Sequence, residues 1–160
     1  MYIKKNRAGI SKGQYFNQDL LVAQKIFQNN PLKHVDIGSR IDGFVAHVAS
    51  FREIEIFDIR NIENEVENIK FVQADMTSPN LIDYCDSVSS LHAIEHFGLG
   101  RYGDTLDVNG HLKGIENITA MLKNGGKFHF SVPIGEPCVE FNVHRIFSIK
   151  YLLELFEMTN

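Results

Sequence analysis

Five short runs rich in β-branched and aromatic residues recur along this chain with helical patterns or polar turns between them, and that alternation restricts the fold most. The runs are 34–37 (HVDI), 53–59 (EIEIFDI), 70–74 (KFVQA), 87–91 (SVSSL) and 127–132 (KFHFSV). Apolar residues at helical spacing predict helices over 17–29, 44–51, 111–123 and 148–158. Asn17 is the expected N-cap of the first, and Pro31 ends it. Asn124-Gly125-Gly126 stands as the stop signal of the third, and Ser148 as the N-cap of the last. The stretch 61–68 reads as a loop or short helix, and 135–145 as a loop. Strands alternating with helices through glycine-containing turns specify a parallel sheet covered on both faces. Right-handed crossovers then bring every strand-to-helix turn to one carboxyl edge. Asp36, Gly38, Asp58, Asp75, the 92–96 stretch and the loop after Gly135 are therefore expected around one crevice.

A chain of 160 residues is long enough for one domain with a buried core, here 1–160 with 1–16 as an N-terminal extension. The net charge of −4 and the scattered basic residues argue against a phosphate-binding footprint, so nucleic acid is not an expected partner. There is no apolar run of about 18 residues and no signal-type apolar segment at the start, which predicts a cytoplasmic protein with no membrane partner. Cys85 and Cys138 lack any C-x-x-C spacing and read as core or loop residues.

Four stretches carry chemistry. Between the first strand and its helix runs Asp36-Ile37-Gly38-Ser39-Arg40-Ile41-Asp42-Gly43, where glycines admit a ligand to the backbone and a helix start offers N–H donors. Asp58 closes the second strand about 20 residues beyond Gly38, the separation at which an acid accepts from ribose hydroxyls. Asp75 follows the third strand and is placed to accept from an exocyclic amine. The fourth strand runs into HAIEHFGLGRYGD, which sets His92, Glu95, His96, Arg101, Tyr102 and Asp104 among three glycines. His92 to His96 also spells H-x-x-E-H, a zinc-peptidase pattern, but Gly98 and Gly100 cut short the helix that such a site needs, so no metal is expected. Past the fifth strand, Asn142, His144 and Arg145 form a candidate substrate clamp, Arg145 offering a fork to a carboxylate or phosphate.

These residues resemble the class I S-adenosylmethionine-dependent methyltransferases, from about Leu32 to the end. VDIGSRIDG stands at the first nucleotide motif, Asp58 at the strand-two acid, QAD after strand three, SLHAIEHFG at strand four and KNGGKFHFSVP at strand five. More narrowly, HAIEHFGLGRYGD with SVPIG and FNVHR is similar to an uncharacterised branch of that superfamily, a family of unknown function. The glycine motif departs from the usual form, with Arg40 at the middle glycine and Gly43 one place late. The resemblance implies a Rossmann-like α/β sandwich of about five strands in order 3-2-1-4-5, without the last two strands of the full methyltransferase sheet. Strand five would then be an exposed edge, available for a homodimer contact. The implied cofactor is S-adenosyl-L-methionine, held by Asp36, Gly38, Ser39, Gly43, Asp58, Ile59, Asp75, Met76 and His92. The implied reaction moves a methyl group to a substrate oxygen or nitrogen, with His96 or His144 as base and Glu95 orienting an imidazole. The polar loops rich in Asn, Asp and His point to a small polar acceptor such as a saccharide or nucleotide-linked sugar. Arg101, Tyr102, Asp104, Asn142 and Arg145 would shape the acceptor pocket. Two other readings stay open: a nucleoside-binding module without catalysis, and a metal-dependent hydrolase using His92, His96 and Asp104.

Overall fold

The computed structural model describes residues 13–62, 65–78, 81–140 and 143–157. Asn142 lies outside them. Helix α1 (Gln14–Asn29) turns Ala23 and Ile26 inward and ends at Asn30, whose left-handed φ of 42° stops the helix just before Pro31. It begins three residues ahead of the expected start, with Gly13 at the cap position. Asn17 sits inside the first turn instead, donating from Nδ2 to the Gly13 carbonyl at 3.2 Å. Residues 14–16, expected in an extension, therefore belong to the helix.

The strands β1 (His34–Ile37), β2 (Ile54–Asp58), β3 (Ile69–Gln73), β4 (Cys85–Leu91) and β5 (Leu122–Ser131) form one parallel sheet in the order β3-β2-β1-β4-β5. That is the expected order. β1 is central, and all four of its residues are buried. Helix α1 and the short helix α2 (Ala46–Ala49) supply Ile26 and Val48 to one face, against Ile54 and Ile56 of β2. Helices α3 (Gly110–Ala120) and α4 (Ile149–Glu157) cover the other, where Ile115, Ile118 and Leu152 meet Val35, Cys85 and Val88. Each isoleucine with no exposed surface contributes roughly 1.5–3 kcal/mol through this burial. Cys85 is thus a core residue, and Cys138 is exposed. No helix among the described residues is long and apolar enough to cross a membrane.

Three local expectations change. The helix expected over 44–51 is instead a wide turn, Ile41–Val45, followed by the four-residue α2. Gly43 causes this, with φ −121° and ψ −110° inside the turn. The Asn124-Gly125-Gly126 stop lies within β5: α3 ends at Ala120, and the glycines form an irregularity between the Cys85–Leu122 and Ser87–Lys127 pairings. The segment expected as a loop contains an antiparallel hairpin, β6 (Cys138–Glu140) with β7 (His144–Ile146). Ser148 does cap α4, its Oγ accepting from the Tyr151 N–H at 3.1 Å.

Candidate functional site

The turn after β1 is built around a buried acid. Asp36 has no exposed surface, and its carboxylate accepts from the Ser39 N–H (3.0 Å), the Ser39 hydroxyl (2.9 Å) and the Ser89 hydroxyl of β4 (2.5 Å). Burial pushes its pKa up to about 6, against the pull of the Ser89 and Ser39 hydrogen bonds. Ser89 Oγ also lies 3.2 Å from His34 Nε2, and Ser87 Oγ lies 2.8 Å from His34 Nδ1. Burial, then the neighbouring His129 and Arg52, brings His34 down to about 3, so the ring is neutral. Asp36, expected among the cofactor contacts, shapes the turn from behind. Gly38 does face the cleft: its φ is +70°, and an added Cβ would lie 3.1 Å from Ala93 Cβ. Asp19 of α1 closes the far end of the turn, where a Cβ on Gly43 would meet its Oδ2 at 2.7 Å.

The strand ends converge on one cleft with two connected halves. The narrower half is lined by Gly38, Asp58, Ile59, Asp75 and Met76 from the first three strands. The wider half, about 730 Å³, takes in Ser39, Gly43, Glu95, Arg101 and His144. Gly38, Arg60, His92, His96 and Tyr102 line both. Asp75 spends Oδ1 on the Thr77 N–H (2.8 Å) and hydroxyl (2.7 Å). Asp104 spends both oxygens on its own loop, accepting from the Gly100 and Tyr102 N–H groups at 3.1 and 3.2 Å.

The chemistry-bearing groups follow β4. His92 holds a left-handed φ of 58°, a conformation that costs a non-glycine residue of order 1 kcal/mol or more and is concentrated at functional sites. It donates from Nδ1 to Glu95 Oε1 at 3.2 Å. Residues Ile94–His96 then form one turn of 3₁₀-helix, which carries Glu95 and His96 to the same cleft. Glu95 is 2% exposed, and among the described residues neither its Oε2 nor His92 Nε2 has a hydrogen-bond partner. His96 donates from Nδ1 to the Val143 carbonyl at 2.5 Å, which leaves Nε2 as the acceptor, 4.0 Å from Glu95 Oε1. Burial outweighs the Val143 carbonyl and Glu95 and holds the His96 pKa below the ordinary histidine value. A neutral imidazole fixed in one tautomer beside a carboxylate is equipped to take a proton. Among the described residues, no three His, Cys, Asp or Glu side chains are grouped to hold a metal ion, and His92, His96 and Asp104 do not form such a set.

Arg145 departs from expectation. It is 5% exposed and reaches the Phe97 carbonyl (2.5 Å), with the Val108 and Asp107 carbonyls at 3.3 and 3.5 Å. A guanidinium committed to three main-chain carbonyls ties β7 to the 97–108 loop and is not free to fork a substrate. It lines a separate, largely apolar cavity of about 630 Å³, with His111 and Tyr151. Further residues of the main cleft lie outside the four chemistry-bearing stretches. Tyr15 and Asp19 arrive from α1, whose pattern signals only its packing face. Arg60 sits two residues past Asp58, and that spacing was a signal, since an Asp side chain commonly accepts from the N–H two residues on.

No curated protein matches this chain in sequence. Among solved structures, Burkholderia thailandensis 1,6-didemethyltoxoflavin-N1-methyltransferase superposes with a TM-score of 0.63 at 14% identity, covering 89% of this chain and 67% of that one. The [4+2]-cyclase SpnF gives 0.67 at 14% identity, covering 96% of this chain and 61% of its own. CalS10, an amino pentose methyltransferase from Micromonospora echinaspora, gives 0.53 at 16% identity, with 72% of this chain and 50% of that chain covered. The chain thus spans between half and two-thirds of these proteins, and identities this low speak to the fold alone. Residues 40–158 match the family DUF268, described as Caenorhabditis protein of unknown function. The chain belongs to the DUF268 family, built on the Rossmann-like fold shared with class I S-adenosylmethionine-dependent methyltransferases.

Proposed function

We propose that this domain transfers a methyl group from S-adenosyl-L-methionine to a hydroxyl of a small polar acceptor, with a saccharide or nucleotide-linked sugar as the acceptor class. The observation that carries the reading is the tautomer-fixed His96 at the junction of the two halves of the strand-end cleft, paired with the buried Glu95. The superposed proteins support the cofactor and the sugar class: one holds S-adenosylhomocysteine, and another is a SAM-bound amino pentose methyltransferase.

The residues of the narrower half fit a nucleoside. Asp58 and Ile59 close β2, Asp75 and Met76 follow β3, and Gly38 lets the main chain come close. His92 Nε2 and Glu95 Oε2, buried and without partners among the described residues, fit polar groups arriving from the wider half, which Ser39 and Gly43 of the turn also line. When bound, the cofactor would supply an electrophilic sulfonium methyl for attack by the acceptor oxygen, the carbon–sulfur electron pair returning to sulfur. His96 Nε2 receives the hydroxyl proton. Glu95 Oε1 stabilises the imidazolium that results, and the Val143 carbonyl keeps the ring turned throughout. His144, 6.4 Å from the His96 ring, faces the same space from β7 and contributes to acceptor binding. Arg101, which donates to the Val143 carbonyl at 3.0 Å, and Tyr102 form the acceptor wall, and Asp104 holds their loop from the narrower half through the Gly100 and Tyr102 N–H groups. The enzyme's main contribution is alignment of the two reactants.

Calorimetry with S-adenosylmethionine and S-adenosylhomocysteine tests the reading. Binding is expected, weakened about tenfold in Asp58→Ala through loss of charge-assisted hydrogen bonds. No binding at millimolar ligand would sink it.

A further inference from the structure

Asp58, the acid placed to receive a ribose diol, already carries a donor set. Arg60 gives its main-chain N–H (2.8 Å) and Nε–H (2.9 Å) to Asp58 Oδ1, and its Nη2 to Oδ2 at 2.6 Å. A carboxylate has about four acceptor positions, and three are filled here, both of those on Oδ1 among them. The acid is 7% exposed, so little of it is reachable from another direction. A vicinal diol that needs both oxygens must take at least one from the guanidinium. The Arg60 side chain is half exposed, so solvent can receive it if the fork opens. Its other contact is the Tyr102 ring, with Cζ 4.7 Å from the centroid, and Arg101 lies 5.5 Å from the same ring. Tyr102 stands edge-on to the His96 ring at 5.4 Å and sits between Gly100 (φ +73°) and Gly103 (φ +89°).

We propose that Arg60 is a positioning residue that competes with a ribose diol for Asp58, so that a ligand returning two hydrogen bonds to Asp58 displaces the guanidinium and alters its hold on Tyr102. The inference rests on the nucleoside reading of the narrower half and adds a selectivity device and a link to the acceptor wall. A ligand without the diol leaves Arg60 in place, binds without that competition and does not disturb Tyr102.

The test compares the parent protein with Arg60→Ala, titrating S-adenosylhomocysteine and 2′,3′-dideoxyadenosine by calorimetry. Removing the competitor should tighten S-adenosylhomocysteine roughly two- to fivefold, the scale of a half-exposed ion pair, and leave dideoxyadenosine unchanged. Arg60→Lys, which cannot form the fork, should fall between. The chain contains no tryptophan, so Tyr102→Trp gives a single emission signal. That signal should shift on adding S-adenosylhomocysteine when Arg60 is present, not when it is alanine, and never with dideoxyadenosine. Equal or weaker S-adenosylhomocysteine binding in Arg60→Ala would overturn the role of Arg60 and leave the nucleoside reading standing. Failure of both proteins to bind S-adenosylhomocysteine would overturn both.

Discussion

Two buried carboxylates stand near the carboxyl ends of neighbouring parallel strands, and their surroundings are opposite. Asp36, within β1, takes three hydrogen bonds from Ser39 and Ser89 and lines neither half of the cleft. Glu95, after β4, shares one oxygen between His92 and His96 and leaves the other without a partner among the described residues. A satisfied acid in the interior holds a turn in shape. An unsatisfied one, next to a residue with φ +58°, retains a cost that the packing alone does not explain. The difference teaches that position at the carboxyl edge does not make an acid functional; what remains of its hydrogen-bonding capacity does.

If that distinction holds, substitution on the β4 side should harm turnover without harming the fold. His96→Ala is expected to lower methyl transfer by about 10²–10⁴-fold, the range for losing a general base. S-adenosylhomocysteine affinity and the urea midpoint should stay within error, and intact turnover against a sugar-acceptor panel would remove His96 as base. On the β1 side the expectation reverses. Asp36→Ala leaves the buried Ser39 and Ser89 donors unpaired and should cost about 2 kcal/mol or more of stability by urea denaturation. Arg145→Gln extends the contrast: it should destabilise by about 1–2 kcal/mol through its lost carbonyl contacts while KM for the acceptor stays put. A raised KM with unchanged stability would return Arg145 to the substrate.

Two pH experiments sharpen the comparison with smaller effects. Because His96 accepts a proton only when neutral and its pKa lies below the ordinary value, the rate should rise with pH along a limb centred below about 6.5. A limb centred above that value would assign the base elsewhere. Asp36 acts on stability in the other sense. Its folded pKa of about 6 exceeds the unfolded value, so its contribution is full below the unfolded value and is lost as pH rises through 6. His34, held down to about 3, contributes above about 6.5 and loses that contribution as pH falls. Between pH 6 and 5 the two oppose each other, so Asp36→Asn should lose about 1 kcal/mol more than the parent protein on acidification. Parallel curves in urea at the two pH values would refute the assignment.

Much of the architecture was legible because it is periodic. Alternating glutamate and isoleucine in EIEIFDI marked β2, and helical spacing of Leu112, Ile115 and Ile118 marked α3. What escaped was aperiodic. The β6–β7 hairpin is three residues on each side, too short for an alternation to register. Asn-Gly-Gly looked like a helix end because the same left-handed glycine serves helix stops and strand irregularities alike. The candidate site divided in the same way. Gly38, Asp58, Asp75, His92, Glu95, His96 and His144 reach one cleft, since each lies at or just past a strand end or on the hairpin beside it. Tyr15 and Asp19 reach it from a helix that carried no chemical signal.

The sequence by itself determined the five strands of the parallel sheet, their order and the edge at which the acids gather, because hydrophobic period and turn chemistry are local properties. Only the tertiary structure decided which of those acids are spent. The Ser89 donor that completes Asp36 lies 53 residues away, and the Val143 carbonyl that sets the His96 tautomer lies 47 away. Even Arg60, local to Asp58, acquires its second contact from Tyr102 on another strand's loop. Hydrogen-bond saturation is a sum over neighbours in space, and no pattern along the chain carries that sum.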